Sequence, residues 1–430
     1  MPQFIRIPPD TNVPTDGRVM RIVDTAAMRR LAEIRQLGLV HLVYPGAMHS
    51  RLEHSLGVYR WGLQVAESLS GKPEGQVMRD PRTRDALTLA TLLHDVGHWP
   101  FCHLMEEVGA AADVRLTSHE HRCIGIIENG PIAQCIEEDW ECSPTDVAAI
   151  IAKNKSSDLP GLNLVRSILS GPIDVDKLDY LGRDSLHCGV PYGSHFDAAR
   201  LVASLEVDPM NDCLAIGRKG RTAAELMVFA RYVMFSEVYW HHAVRSATAM
   251  LQRSIYDLRH RLDFGALCDT TDAGCIAMLR RAAEGSFNEP MIEGIFGPRR
   301  QLFKRVLDID AVSDSSAISP GNAANEIAGL HRRVSRKPFW WLVAASEQLA
   351  VELRRRTGLT IASADVLIDA PPPRLEVNVD IPLIADSRLP TTDNDNGQVL
   401  PTSAGMLGDI SPIVRTLANH QFDSNVKRVR

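Results

Sequence analysis

Apolar side chains recur from Arg18 to Gln36 at Val19, Ile22, Val23, Met28, Leu31 and Ile34. The spacing is close to 3.6 residues and predicts one amphipathic helix, closed by Gly38. A second helix is predicted from about Arg51 to the GKPEG break, because His54, Val58, Trp61, Val65 and Leu69 fall at i, i+4, i+7, i+11 and i+15. Helical periodicity continues through 84–95, 119–128, 145–153, 174–187 and 222–262, with Gly, Pro, Asn and Asp marking the loops. Strand-like alternation is confined to short pieces, CLAIG near 215 and LEVNVDIPLI over 375–384. Residues 1–16 are Pro-rich and polar and read as a leader or short strand. The expected fold is mainly α: a helical catalytic domain over 1–265, a helical extension over 266–357 and a small α+β C-terminal region over 358–430.

Composition narrows the class. The chain has 430 residues, 45% of them hydrophobic, and a net charge of −6, which excludes disorder and collagen. A mildly acidic chain lacks the global field to hold a polyanion, so nucleic acid is not indicated and any anion must meet a local basic cluster. The eight cysteines include no C-x-x-C pair and read as reduced core thiols. The N-terminus lacks the apolar run of a signal peptide and no stretch of 18 apolar residues occurs, so a soluble cytoplasmic protein without a membrane partner is expected.

The side chains capable of chemistry are concentrated in three segments. LLHDVGHWPFCH packs His94, Asp95, His98 and His103 into ten residues, at the end of an apolar helix where burying adjacent polar groups is costly without a metal or a charged partner. HSRLEHS offers Arg51 and His54 at i and i+3, on one helix face. GPIDVDKLDYLGRD places Asp176, Tyr180 and Asp184 at i, i+4 and i+8, a polar stripe beside Val175, Leu178 and Leu181 that suits the wall of a cleft. Two imidazoles and two carboxylates, His54, His94, Asp95 and Asp176, suit one divalent first-row ion such as Mn, Fe, Co, Ni or Zn. Arg51 and Lys177 are then candidates to cradle phosphates, one as a planar fork and one as a point charge.

These three segments, in this order, resemble the HD superfamily of phosphohydrolases, and within it the deoxynucleoside triphosphate (dNTP) triphosphohydrolases. The resemblance runs from about Arg18 to His195 and more faintly through 225–245. It implies that His54, His94, Asp95 and Asp176 bind one metal, Mg included among the candidates. It also implies that Arg51, His98, His103, Lys177, Tyr180 and Arg231 contact the triphosphate. His119 matches a catalytic histidine of the family, and Glu106 stands where the family has an Asp that assists it. Gln36 and Asp184 match residues that hold the sugar 3′-hydroxyl, while Leu37 and Tyr239 match those that crowd the 2′ position. A homo-oligomer is implied as well.

Other readings of single residues stay open at this level. His98 and His103 also fit a structural role at a helix end, and Tyr239 fits core packing. His241 and His242, adjacent and so on different faces, read as structural or phosphate-adjacent. Regulated family members read guanine with an Asp, a Gln and an Arg on an N-terminal helix; here Asp24 is followed by Arg29 and Ala32, so activation by GTP is not expected. Two alternatives to dNTP hydrolysis are an HD phosphohydrolase acting on another phosphorylated nucleotide, and a nucleotide-sensing or nucleic-acid-binding module.

Overall fold

A computed structural model describes residues 3–9, 11–109, 118–309, 330–371, 379–384 and 403–423. The architecture is mainly α, with small sheets. Residues 3–15, expected as a leader or short strand, form an antiparallel hairpin of β1 (Gln3–Ile7) and β2 (Thr11–Thr15). The single helix expected over 18–36 is instead two, α1 (Gly17–Val23) and α2 (Ala26–Leu31). Thr25 makes the break: its hydroxyl donates to the Ile22 carbonyl at 2.7 Å and accepts from the Met28 N–H at 3.5 Å, ending one helix and capping the next.

The next eight helices are α3 (Arg51–Ser70), α4 (Pro81–Leu93), α5 (Cys102–Gly109), α6 (His119–Ile127), α7 (Gly130–Asp139), α8 (Pro144–Ile151), α9 (Leu162–Leu169) and α10 (Val175–Cys188). The three helices that present the candidate metal ligands, α3, α4 and α10, start on side-chain caps. Ser50 accepts from Glu53 N–H at the start of α3, Asp80 accepts from Thr83 N–H at the start of α4, and Asp174 accepts from Lys177 N–H at the start of α10. Such a cap is worth about 1 kcal/mol and fixes the register of the residues behind it. Leu87, Leu89, Ala90, Leu92 and Leu93 of α4 are all buried. Burying each leucine contributes about 1.5–3 kcal/mol, so α4 is anchored on several sides and His94, its C-cap residue, inherits a fixed position.

After α11 (Ala198–Ala203), the strands β3 (Leu205–Asp208) and β4 (Cys213–Gly217) form a hairpin that β5 (Pro382–Ile384) and β6 (Ser403–Met406) extend in the order β3-β4-β5-β6. CLAIG is β4 as expected; of the strand expected over 375–384, residues 375–378 lie outside the described residues and β5 begins at Pro382. The helical run expected over 222–262 is interrupted. It comprises α12 (Arg221–Met234), a π-helical turn at Phe235–Tyr239 and α13 (His242–Leu258). The extra residue in the π turn breaks the 3.6 periodicity just where Tyr239 enters the cavity described below.

Beyond α13 come α14 (Phe264–Asp269), α15 (Asp272–Ala283), α16 (Glu289–Phe296), α17 (Leu330–Val334), α18 (Phe339–Thr357), α19 (Leu407–Ile410) and α20 (Pro412–Asp423). Among the described residues there are two large apolar cores and a small one around Val334 and Leu342. One large core joins the interiors of α3, α4, α8, α9, α10 and α12 and takes in Leu383, Leu407 and Val414 from near the C-terminus. The other large core is built from α13 to α16 and includes Trp99, Phe101 and Met105 around the start of α5. No helix among the described residues is long and apolar enough to cross a membrane. All eight cysteines are free thiols, six of them buried.

Candidate active site

Residues from both large cores line one cavity of about 550 Å³, within the range of small-molecule sites. Gln36, Leu37, Arg51, His54, His94, Asp95, His98, His103, His119, Asp176, Lys177, Tyr180, Asp184, Arg231 and Tyr239 all line it. Glu106 stands directly behind His119. His241 and His242 stack on each other at 4.3 Å and are not among the lining residues. The segments that the sequence singled out thus converge, although α3 and α10 are separated by more than a hundred residues.

One ligand atom each from His54, His94 and Asp176 lies within 4.8 Å of the others. His54 Nε2 is 3.0 Å from Asp176 Oδ1 and 3.3 Å from His94 Nε2. Asp95 Oδ1 stands beside them, 3.5 Å from His94 Nε2, while its Oδ2 accepts from Arg51 at 2.7 Å. The other nitrogen of each ring is committed. His54 Nδ1 donates to Asp179 Oδ2 at 2.9 Å, and His94 Nδ1 donates to the Thr91 carbonyl at 3.0 Å. Both Nε2 lone pairs therefore face each other, an arrangement that requires a positive charge between them. Without an ion a proton fills that need: burial opposes a charge on His54, but Asp176 and Asp179 outweigh it and raise its pKa to about 10. The donor set of imidazole nitrogen and carboxylate oxygen fits a divalent first-row ion.

Five residues behind these ligands, Asp179, Arg183, Glu53, His187 and His49, had no role assigned from the sequence. Asp179, three residues beyond Asp176 on α10, holds His54 and is itself clamped by Arg183 through bonds of 2.8 Å to both carboxylate oxygens. Arg183 also donates to Glu53 at 2.7 Å, and Glu53 accepts from His187 Nε2 at 2.9 Å. The His187 ring stacks on His49 at 4.4 Å, and His49 Nε2 lies 2.8 Å from Asp184 Oδ1. The only signal in the sequence was spacing, with Glu53 one residue from His54 and Asp179 three from Asp176. Gly57 permits this approach of α3 and α10, since a Cβ there would overlap Asp179 and Arg183.

Asp184 ends this chain inside the cavity. Tyr239 O–H donates to its Oδ2 at 2.6 Å, and burial together with Asp184 pushes the Tyr239 pKa well above its ordinary value, so the phenol stays a donor. Lys177 is less free than a phosphate-binding lysine would be: its ammonium contacts Asp174 and donates to the Gly171 carbonyl at 2.9 Å.

The second histidine group surrounds Glu106. Its Oε1 accepts from His119 Nδ1 at 2.8 Å and from the His119 backbone N–H at 3.1 Å, and its Oε2 is 3.3 Å from His103 Nδ1. Burial would raise the Glu106 pKa, but the hydrogen bonds of His103 and His119 hold it far below the ordinary carboxylate range. Gly97 allows α6 to come this close, since a Cβ there would meet the His119 carbonyl and Cys123 N. His98 lies between the two groups, with Nδ1 3.2 Å from Asp95 Oδ1. Burial, and then the charge of Arg51, pushes its pKa well below the ordinary imidazole range.

With this geometry in view, residues 51–182 match the HD domain family and residues 196–336 match the HD-associated region. The chain is an HD-domain protein. It is 34% identical to the Bacillus subtilis protein YwfO over 252 residues, 58% of this chain and 54% of that one. It is 31% identical to the human deoxynucleoside triphosphate triphosphohydrolase SAMHD1 over 252 residues, 52% of this chain and 39% of that one. The match spans about half the length, or less, of these curated relatives. A phosphohydrolase structure from Bacteroides thetaiotaomicron shares the fold with a TM-score of 0.68 at 21% identity, over 100% of this chain and 98% of that one. An Aquifex aeolicus structure does so with a TM-score of 0.67 at 23% identity, over 100% and 96%. HD domains bind a divalent metal ion, and His54, His94 and Asp176 are its candidate ligands here.

Proposed function

We propose that this HD-domain protein hydrolyses dNTPs to deoxynucleoside and inorganic triphosphate. The observation that carries the reading is a set of buried polar atoms on the cavity wall that have no partner among the described residues: Gln36 Oε1, Arg51 Nε and Arg231 Nε. Each such atom costs about 1–3 kcal/mol unless a ligand or water meets it. One acceptor and two guanidinium donors match a sugar hydroxyl and anionic phosphate oxygens.

When bound at His54, His94, Asp95 and Asp176, a divalent ion supplies Lewis-acid polarisation of the phosphorus centre and lowers the pKa of the attacking water. The chain's own residues do the rest. Arg51, Arg231 and Lys177 carry the charge opposite the triphosphate. Attack at the α-phosphorus breaks its bond to the 5′ oxygen, which then needs a proton. His119 is oriented to deliver one, because Glu106 takes its Nδ1–H and leaves Nε2 as the exchanging atom. His103 leans on the same carboxylate, and uncharged His98 can donate to a phosphate oxygen. Asp184 and Gln36 hold the 3′-hydroxyl. Tyr239, fixed by its bond to Asp184, and Leu37 close the space beside C2′.

A 2′-hydroxyl buried there without a partner costs on the order of 1–3 kcal/mol, so dNTPs should be preferred over NTPs by about tenfold to a hundredfold. The test is chromatography of the products after incubation with each dNTP and NTP in the presence of Mn, Mg or Co. Deoxynucleoside and triphosphate from dNTPs are the expected products. Equal rates on ATP and dATP would support the broader reading, an HD phosphohydrolase for other phosphorylated nucleotides.

A further inference from the structure

We propose that His98, Cys102, His103 and His119 form a second cation site that selects a thiophilic ion such as Zn²⁺. One ligand atom from each of the four lies within 4.8 Å of the other three. The three rings pack with centroids 4.1, 5.2 and 5.4 Å apart. Tetrahedral zinc, with bonds of about 2.0–2.3 Å, needs its ligand atoms about 3.3–3.8 Å apart, so an inward shift of about 1 Å closes the set.

Softness separates this group from the one built on His54. That site offers nitrogen and carboxylate oxygen, and ions of intermediate hardness suit it. The second group adds a thiol, and a thiolate favours zinc over manganese or magnesium. Its cysteine is held less firmly than the neighbouring one, with a backbone hydrogen bond at Trp99. Cys123 Sγ already accepts from Gly97 N–H and donates to the His94 carbonyl, both at 3.1 Å. The backbone gives an independent sign. Phe101, immediately before Cys102, has φ +55°, a left-handed conformation that a bulky residue keeps only where its surroundings enforce it. The turn it forces starts α5 at Cys102 and brings the thiol under His98 and His119. His103, with a side chain 66% exposed, gives the ion a way in from solvent.

Binding replaces the thiol proton, which leaves to solvent, and occupies ring nitrogens of His103 and His119. A filled site therefore halts proton transfer and makes zinc an inhibitor of an enzyme that carries a different ion at His54. That consequence rests on the proton-transfer role proposed above; the binding itself does not.

The experiment uses the full chain loaded with manganese, dialysed against Zn²⁺ and analysed for both metals. One additional zinc per chain, with manganese retained, is expected. Cys102→Ser and Cys102→Ala should each weaken that zinc by about a hundredfold while keeping the melting temperature and the manganese-supported turnover. Co²⁺ in place of zinc should show a thiolate-to-cobalt charge-transfer band that both variants lose. Zinc that only displaces manganese, or that binds the variants as tightly as the parent, overturns the proposal. Zinc held through Cys102 without inhibition supports the site and counts instead against the proton-transfer role of His103 and His119.

Discussion

Two histidine groups share one cavity wall and differ in what stands behind each ring. Behind His54 and His94 there are two separate acceptors, the Asp179 carboxylate and the Thr91 carbonyl, each holding one Nδ1–H. Behind His103 and His119 there is one acceptor, Glu106, shared between them. The first pair is buried or nearly so, whereas the His103 side chain is 66% exposed. A ligand to the ion that supports turnover must present the same lone pair in the same place at every cycle, and individually fixed rings do that, whereas the inhibitory zinc proposed at His103 and His119 is not carried through turnover. A proton carrier must alternate between protonated and neutral forms, which a shared carboxylate and a route to solvent permit. On the proposed roles, the same residue type serves two tasks because its surroundings differ.

The strongest test of that contrast removes a ligand. Asp176→Ala should lose the bound ion and the activity together, since a charged ligand is deleted and His54 Nε2 loses its partner at 3.0 Å. Metal analysis of the purified variant decides it, and a full metal content would end the assignment of Asp176. The next largest effect is expected at the other group. His119→Ala should lower turnover by about 10²–10⁴, a typical general acid/base factor, with the metal content unchanged. Loss of the ion in that variant would erase the distinction between the two groups.

How much of this could be read from the chain depends on distance along it. The pairs on one helix were legible: Arg51 with His54, and Asp176 with Tyr180 and Asp184, because helical spacing alone places them on one face. Their supports were not, because they join segments that spacing cannot relate. Asp179 reaches His54 across 125 positions and Asp184 reaches His49 across 135. The expected helices over 18–36 and 222–262 failed for local reasons. Thr25 hydrogen-bonds to both sides of itself, and one π turn changes the period without any glycine or proline to announce it.

Asp179 offers the finest test, because it asks whether fixing a ligand matters as much as the comparison claims. Asp179→Asn keeps the size of the side chain but removes its charge and leaves one acceptor oxygen for three donors, His54 Nδ1–H and two N–H groups of Arg183. Outer carboxylates of this kind are worth about 10–100-fold in metal affinity, so the variant should hold its ion that much more weakly while its saturated turnover changes less. Asp179 is also one end of a buried ion pair, and disturbing the pair lowers stability whatever happens at the metal. Arg183→Met separates the two effects. It breaks the same ion pair and leaves the 2.9 Å contact between Asp179 and His54 in place. Equilibrium metal titrations of both variants, read alongside their melting temperatures, give the answer. A large loss of affinity in Asp179→Asn and a small one in Arg183→Met is expected if the carboxylate acts by orienting the imidazole. Equal losses would mean that general packing between α3 and α10 holds the ligand, and the individually fixed ring would no longer distinguish this group from the one around Glu106.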